Sequence, residues 1–150
     1  MKLMSSKHLS FWAIALLLMS CYAFTPHTKD STMNNVIQEK VQQFATATAQ
    51  HDVKTLQQLL NPEFRAIVNQ YPKPEQTTLL PKKVYLDMIG SKKIGGKMYT
   101  VRIDQIVIKE HSATAIATFK GKNSNMHVTL LLVQDLAGVW TIISDMALIQ

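Results

Sequence analysis

A single cysteine among 150 residues excludes an intramolecular disulfide framework and any cysteine-cluster zinc site. The five glycines form no phosphate-cradling loop, and no serine sits in a nucleophile-elbow motif. The five histidines show no paired spacing suited to a metal, so neither metal nor cofactor is expected. Apolar runs stay well short of the ~20 residues that a membrane-spanning helix needs. Acidic residues are also scarce, 10 against 16 basic ones. What remains is 47% apolar, 17% charged and 7% aromatic, a composition that fits one ordinary globular domain and excludes a disordered or collagen-like chain.

Residues 1–23 read as a secretory signal. Lys2 and Lys7 precede an apolar run of 12, Leu9 to Ser20, of the length a signal core needs rather than a membrane span. Two cleavage sites compete. Cys21-Tyr22-Ala23 offers small residues to a signal peptidase and would free a protein starting at Phe24. Leu18-Met19-Ser20-Cys21 resembles a lipobox, in which Cys21 would be lipidated and anchor the chain to a membrane. Either way the expected compartment is the periplasm, and the folded domain contains no thiol, as suits an oxidising environment.

Residues 24–35, rich in Thr, Ser and Asn, read as a flexible tether, and 36–150 as the single domain. Ile37, Val41, Phe44 and Ala45 form one stripe of an amphipathic helix. Asp52 can cap a second, short helix with Val53, Leu56, Leu59 and Leu60 on its inner face, stopped by Asn61-Pro62. A short strand over 63–71 and a proline-rich loop over 72–81 follow. A third helix starts near Pro81, with Val84, Tyr85, Met88 and Ile89 inward and Gly90 at its end. After Gly95-Gly96, period-2 patterning predicts strands at about 98–109, 112–120, 126–135 and 139–148. Helices followed by a strand meander define an α+β domain with the helices on one sheet face.

Three passages resemble the nuclear transport factor 2-like superfamily, especially its SnoaL-like and lumazine-binding-like members. They are the helix pair VQQFATATAQHDVKTLQQLLNPEF, the strand pair VRIDQIVIKEHSATAIATF and the Trp-led GVWTI. Each is a packing pattern shared by many unrelated activities, so the likeness speaks to fold rather than function. It implies a cystatin-like cone, a curved antiparallel sheet wrapped on N-terminal helices around a central pocket, often dimeric through the outer sheet face. In the ketosteroid-isomerase and SnoaL-like enzymes of that superfamily, a carboxylate in the cone acts as a base beside a tyrosine or acid donor.

Strand pairing says which residues share the pocket. Trp140, the largest apolar side chain of the domain, marks the concave side. An even-length loop at 135–138 places Ile142, Ser144, His127, Thr129, Leu131 and Val133 with it, and a five-residue loop at 121–125 adds Phe119 and Ala113, Ala115 and Ala117. Tyr85 can reach in from helix three. The opposite face then holds Ile116, Met126, Val128, Leu130, Leu132, Val139 and Ile143, too apolar for water and most simply covered by a second copy of the chain.

On that parity Asp145 points away from Trp140, Asp135 belongs to a turn and Asp104 pairs with Arg102. His127 is then the candidate base, against the plainer reading of a strand-end histidine satisfied by backbone or Thr129. Lys82, Lys83, Lys92, Lys93 and Lys97 crowd one stretch without the interleaved aromatics of a nucleic-acid surface, so no nucleic acid is expected. They read as a solvated face, or as a patch weakly attracted to anionic lipid or cell-wall polymer. The sequence thus favours a pocket that binds a small apolar or heteroaromatic ligand without catalysis. An acid–base enzyme of the isomerase or dehydratase type and a protein-interaction module are the alternatives.

Overall fold

A computed structural model describes residues 28–69, 73–122 and 125–149. The proposed signal segment and Cys21 lie outside them. Helix α1 (Thr28–Gln50) begins eight residues ahead of Val36, so most of the expected tether is helical. Met33 explains why: it lies one turn before Ile37 and packs on the same core, extending the stripe through Val41 and Phe44 into a polar stretch. His51, at φ 56°, reverses the chain, and the Asp52 amide donates to the Ala47 carbonyl at 2.8 Å.

Asp52 caps α2 (Val53–Leu59) as its position predicts. One carboxylate oxygen accepts from the Thr55 amide at 3.0 Å and the other from the Thr55 hydroxyl at 2.6 Å. These bonds hold the Asp52 carboxyl below its usual range, the side-chain bond contributing most.

Strand β1 (Leu60–Asn69) starts immediately after α2, earlier than expected. Asn61-Pro62 therefore lies within it, in the irregular stretch between Leu60 and Arg65 where the ladder to the next strand is broken. A proline, which cannot donate, is tolerated there. The expected loop over 72–81 instead contains β2 (Thr77–Pro81), an edge strand antiparallel to β1 that ends on its proline. Pro81 then precedes α3 (Lys82–Gly90) as its cap residue. Leu86 rather than Val84 joins Tyr85 and Ile89 in the core; Val84 is 42% exposed.

The meander appears as β3 (Thr100–Lys109), β4 (Ser112–Lys120), β5 (Asn125–Gln134) and β6 (Trp140–Ile149). The six strands form one sheet in the order β2-β1-β6-β5-β4-β3. The pairing is antiparallel except between β1 and β6, which run parallel, so the sheet is mixed. The three helices and the inner face of this curved sheet enclose one continuous core around Ile37, Leu56, Phe64, Leu130 and Ile142.

Register decides what faces that core. The β5–β6 loop has five residues, with Gln134 opposite Trp140, and the β4–β5 loop has four, with Lys120 opposite Asn125. Each differs by one from the expected count, so β5 is inverted: Met126, Val128, Leu130 and Leu132 face inward. The two offsets cancel across β5. Ala113, Ala115, Ala117 and Phe119 consequently share the inner face with Trp140 and Ile142 as expected. A further irregularity lies within β6. Leu132 pairs with Ile142 but Leu131 with Ser144, leaving Ile143 as a bulged extra residue.

Candidate functional site

The bulge at Ile143 reverses the alternation of the rest of β6. Asp145 and Ala147 thereby join Trp140 and Ile142 on the inner face, whereas strict alternation from Trp140 would put them outside. Asp145 is 8% exposed, and its Oδ1 has no hydrogen-bond partner among the described residues. Burial pushes its carboxyl up to about 7.

Asp145 lies in the wall of a cavity of about 550 Å³, within the range of pockets that hold drug-sized ligands. Phe44, Ala45 and Thr48 of α1, Tyr85 and Met88 of α3, and Ala66 and Val68 of β1 line one part of it. Ile67, Leu80, Tyr99, Phe119, Met126, Val128 and Ala147 complete the apolar surface. Ile94, Gly95, Lys93 and Lys97 approach from the segment that joins α3 to β3.

Tyr85 is fixed by aromatic contacts, edge-on to Phe64 with ring centroids 5.2 Å apart and stacked on Phe44 at 6.4 Å. Its hydroxyl lies 3.5 Å from Thr48 Oγ1. Burial pushes the phenol above its ordinary range, and the nearby Asp145 charge adds to the effect. The tyrosine is therefore a neutral hydroxyl at working pH, able to donate or accept.

Of the residues expected in the pocket, Tyr85 and Phe119 line it, and Trp140 and Ile142 lie on the same sheet face, buried in the core. His127, Thr129 and Ser144 do not join them. The register places all three on the outer face, where His127 opposes Leu148, Thr129 opposes Met146 and Ser144 opposes Leu131. His127 Nδ1 instead lies 3.3 Å from Thr118 Oγ1, whose hydroxyl donates to Asp104 at 2.6 Å. Arg102 donates to the other Asp104 oxygen at 2.7 Å. The Thr118 bond, with Arg102 beside it, holds the Asp104 carboxyl below its usual range. This is a polar relay across three strands on the outer surface, away from the cavity.

The inversion of β5 and the bulge at Ile143 together change the outer face. Met126, Val128, Leu130 and Leu132 leave it, while Ile116 stays and Leu131, Val133, Met146 and Leu148 appear. Leu131 and Leu148 are 42% and 46% exposed. The residue that sequence reasoning missed is Asp145. Its one local signal is the consecutive apolar pair Ile142-Ile143, a break in the period-2 pattern where the bulge falls. Among the described residues, no group of three His, Cys, Asp or Glu side chains gathers for a metal.

The fold that these elements define is nuclear transport factor 2-like. A protein of unknown function from Silicibacter pomeroyi, described as of that kind, superposes with a TM-score of 0.68 at 12% identity, over 81% of this chain and 98% of its own. One from Shewanella baltica matches at 0.68 and 14%, over 80% and 95%. Another from Methylobacillus flagellatus matches at 0.64 and 17%, over 79% and 93%. No protein-family profile and no curated protein matches the sequence. Likeness at such low identity establishes the architecture and leaves the activity to the site.

Proposed function

We propose that this protein binds a small, largely apolar or heteroaromatic molecule inside the cone, with a hydrogen-bond donor of the ligand meeting Asp145. The observation that carries this reading is the unpartnered Asp145 Oδ1 in the wall of an otherwise apolar cavity. A buried acceptor without a partner is costly, and a donor supplied by a ligand removes that cost. Native mass spectrometry of the purified protein tests it. A co-purifying small molecule, lost or weakened in Asp145→Asn, supports the reading; a cavity that retains nothing and accepts no apolar probe refutes it.

Asp145 also favours a second reading, an acid–base enzyme of the isomerase or dehydratase type. A carboxyl near 7 is poised to exchange protons at neutral pH, and Tyr85 supplies a neutral hydroxyl for a developing oxyanion. Exchange of α-protons of a bound cyclic ketone into deuterated water, followed by NMR, separates catalysis from binding. Exchange by the wild type that disappears in Asp145→Asn supports an enzyme.

The leader supports export to the periplasm, with Cys21 as the candidate anchor. The exposed Leu131 and Leu148 on the outer sheet face support a homodimer through that face.

A further inference from the structure

The cavity is apolar within and cationic at its rim, and the topology shows why. Strand β4 leaves the sheet at Lys120, β5 enters at Asn125, β1 leaves at Asn69 and β3 begins at Thr100 opposite Lys120. These ends lie together, because Phe119, Met126, Val68 and Ala147 all line the one cavity. The connections there carry Lys73, Lys92, Lys93, Lys97 and Lys122, with Glu75 as their one acid. Glu110 and Asp135 occupy turns at the other end of the strands, where Ser112 is opposite Val133.

Lys93 and Lys97 themselves line the cavity, are exposed, and carry no ion pair among the described residues. Their segment is held in place. The Gly96 amide donates to the Thr48 carbonyl at 3.2 Å and the Lys93 amide to the Met88 carbonyl at 2.9 Å. Gly95 lies so close to α1 that an added Cβ would come within 2.5 Å of the Thr48 carbonyl oxygen. Lysine stems can follow an apolar rim while their ammonium groups stay in water, ready to meet an anion.

Resting on the pocket reading above, we infer that the ligand is an anionic amphiphile, with its apolar body inside the cone and a carboxylate-type head at the mouth beside Lys93 and Lys97. The opposite orientation is disfavoured twice. An ionised head would lose its hydration at depth, and there it would face the buried carboxyl of Asp145. A donor group farther along the body can still meet Asp145, so the two polar points recognise different parts of one molecule.

Isothermal titration of the purified full chain with dodecanoate, 1-dodecanol and dodecyltrimethylammonium at low salt tests this. Dodecanoate is expected to bind about tenfold more tightly than the other two, a preference that salt erodes. In the exposed double variant Lys93→Gln/Lys97→Gln the ratio of dodecanoate to dodecanol affinity is expected to fall from about ten to about one. Dodecanol binding as tightly as dodecanoate to the wild type, or a preference that survives in the variant, overturns the inference and leaves the pocket reading intact. Failure of all three probes to bind overturns the inference, and joined to the absence of any co-purifying molecule it overturns the pocket reading as well. Offering dodecanoate free in solution or preloaded in phosphatidylcholine vesicles distinguishes an aqueous from a membrane source, and uptake from either supports the inference.

Discussion

Asp145 lies directly opposite Leu130 across the β5–β6 ladder, a carboxyl facing a leucine with no exposed surface. Neither residue can turn to solvent without moving its strand. The ladder fixes the leucine in the core, and the bulge at Ile143 commits the aspartate to the same side. The electrostatic behaviour of the site follows from that pairing.

Asp145 titrates near 7 in the folded protein against 3.8 as its ordinary value. Between those pH values the folded state holds a proton that the unfolded chain has released. Its contribution therefore favours folding at low pH, declines as pH rises through the window, and reaches its full penalty above about 7. The difference corresponds to on the order of 4 kcal/mol. Urea denaturation from pH 4 to 8 is expected to show this decline in the wild type and a flatter profile in Asp145→Asn. Equal slopes in the two proteins would mean that the carboxyl is solvated.

Trp140 is 4% exposed on the inner face. Trp140→Ala is expected to cost ~3–5 kcal/mol, as large-to-small aromatic changes in cores do. A loss below ~1 kcal/mol in chemical denaturation would place the indole at the surface.

Adjacent leucines on β5 should respond in opposite ways to a charge. Leu130→Lys inserts an ammonium into the core and is expected to unfold the domain. Leu131→Lys, on the proposed dimer face, should leave the fold intact and shift sedimentation from dimer to monomer. A wild type that stays monomeric at high micromolar concentration rules out self-association through this face.

Gly95 adopts φ +85° against the Thr48 carbonyl. Gly95→Ala combines backbone strain with that contact and is expected to destabilise by ~1–3 kcal/mol. Thermal melting checks the cost, and faster amide exchange over 92–97 would show the lysine-bearing segment coming loose.

If Cys21 is lipidated, Cys21→Ala should move the protein from membrane fractions to the soluble periplasm. An unchanged distribution by fractionation and immunoblotting overturns the lipid anchor.

Helices and strands were legible wherever hydrophobic period and local chemistry agree, as in the Ile37–Val41–Phe44 stripe, the Asp52 cap and the alternation of β3 and β4. Strand β2 was hidden because prolines mask a short edge strand that gains its order from pairing with β1. The β1–β6 pairing joins residues about eighty positions apart, and no local pattern encodes such a contact. The pocket was half legible. Phe119 and Trp140 share a face as expected because two loop-length offsets cancel between them, while His127 and Thr129, on the strand between, carry only one. Asp145 lay beyond reach because it depends on a single extra residue whose trace is one Ile-Ile pair.

That extra residue separates position along the chain from position in the sheet. Absorbing Ile143 into a regular ladder, with the strand beyond it slipping by one, would send Asp145 outward and Ser144 inward, whereas deleting Ile143 removes the bulge and leaves both residues on their present faces. Strand order, helices and most of the core could persist through the change. A related cone one residue shorter at this point therefore keeps its inward carboxyl, and a gap in the alignment there marks an unchanged site.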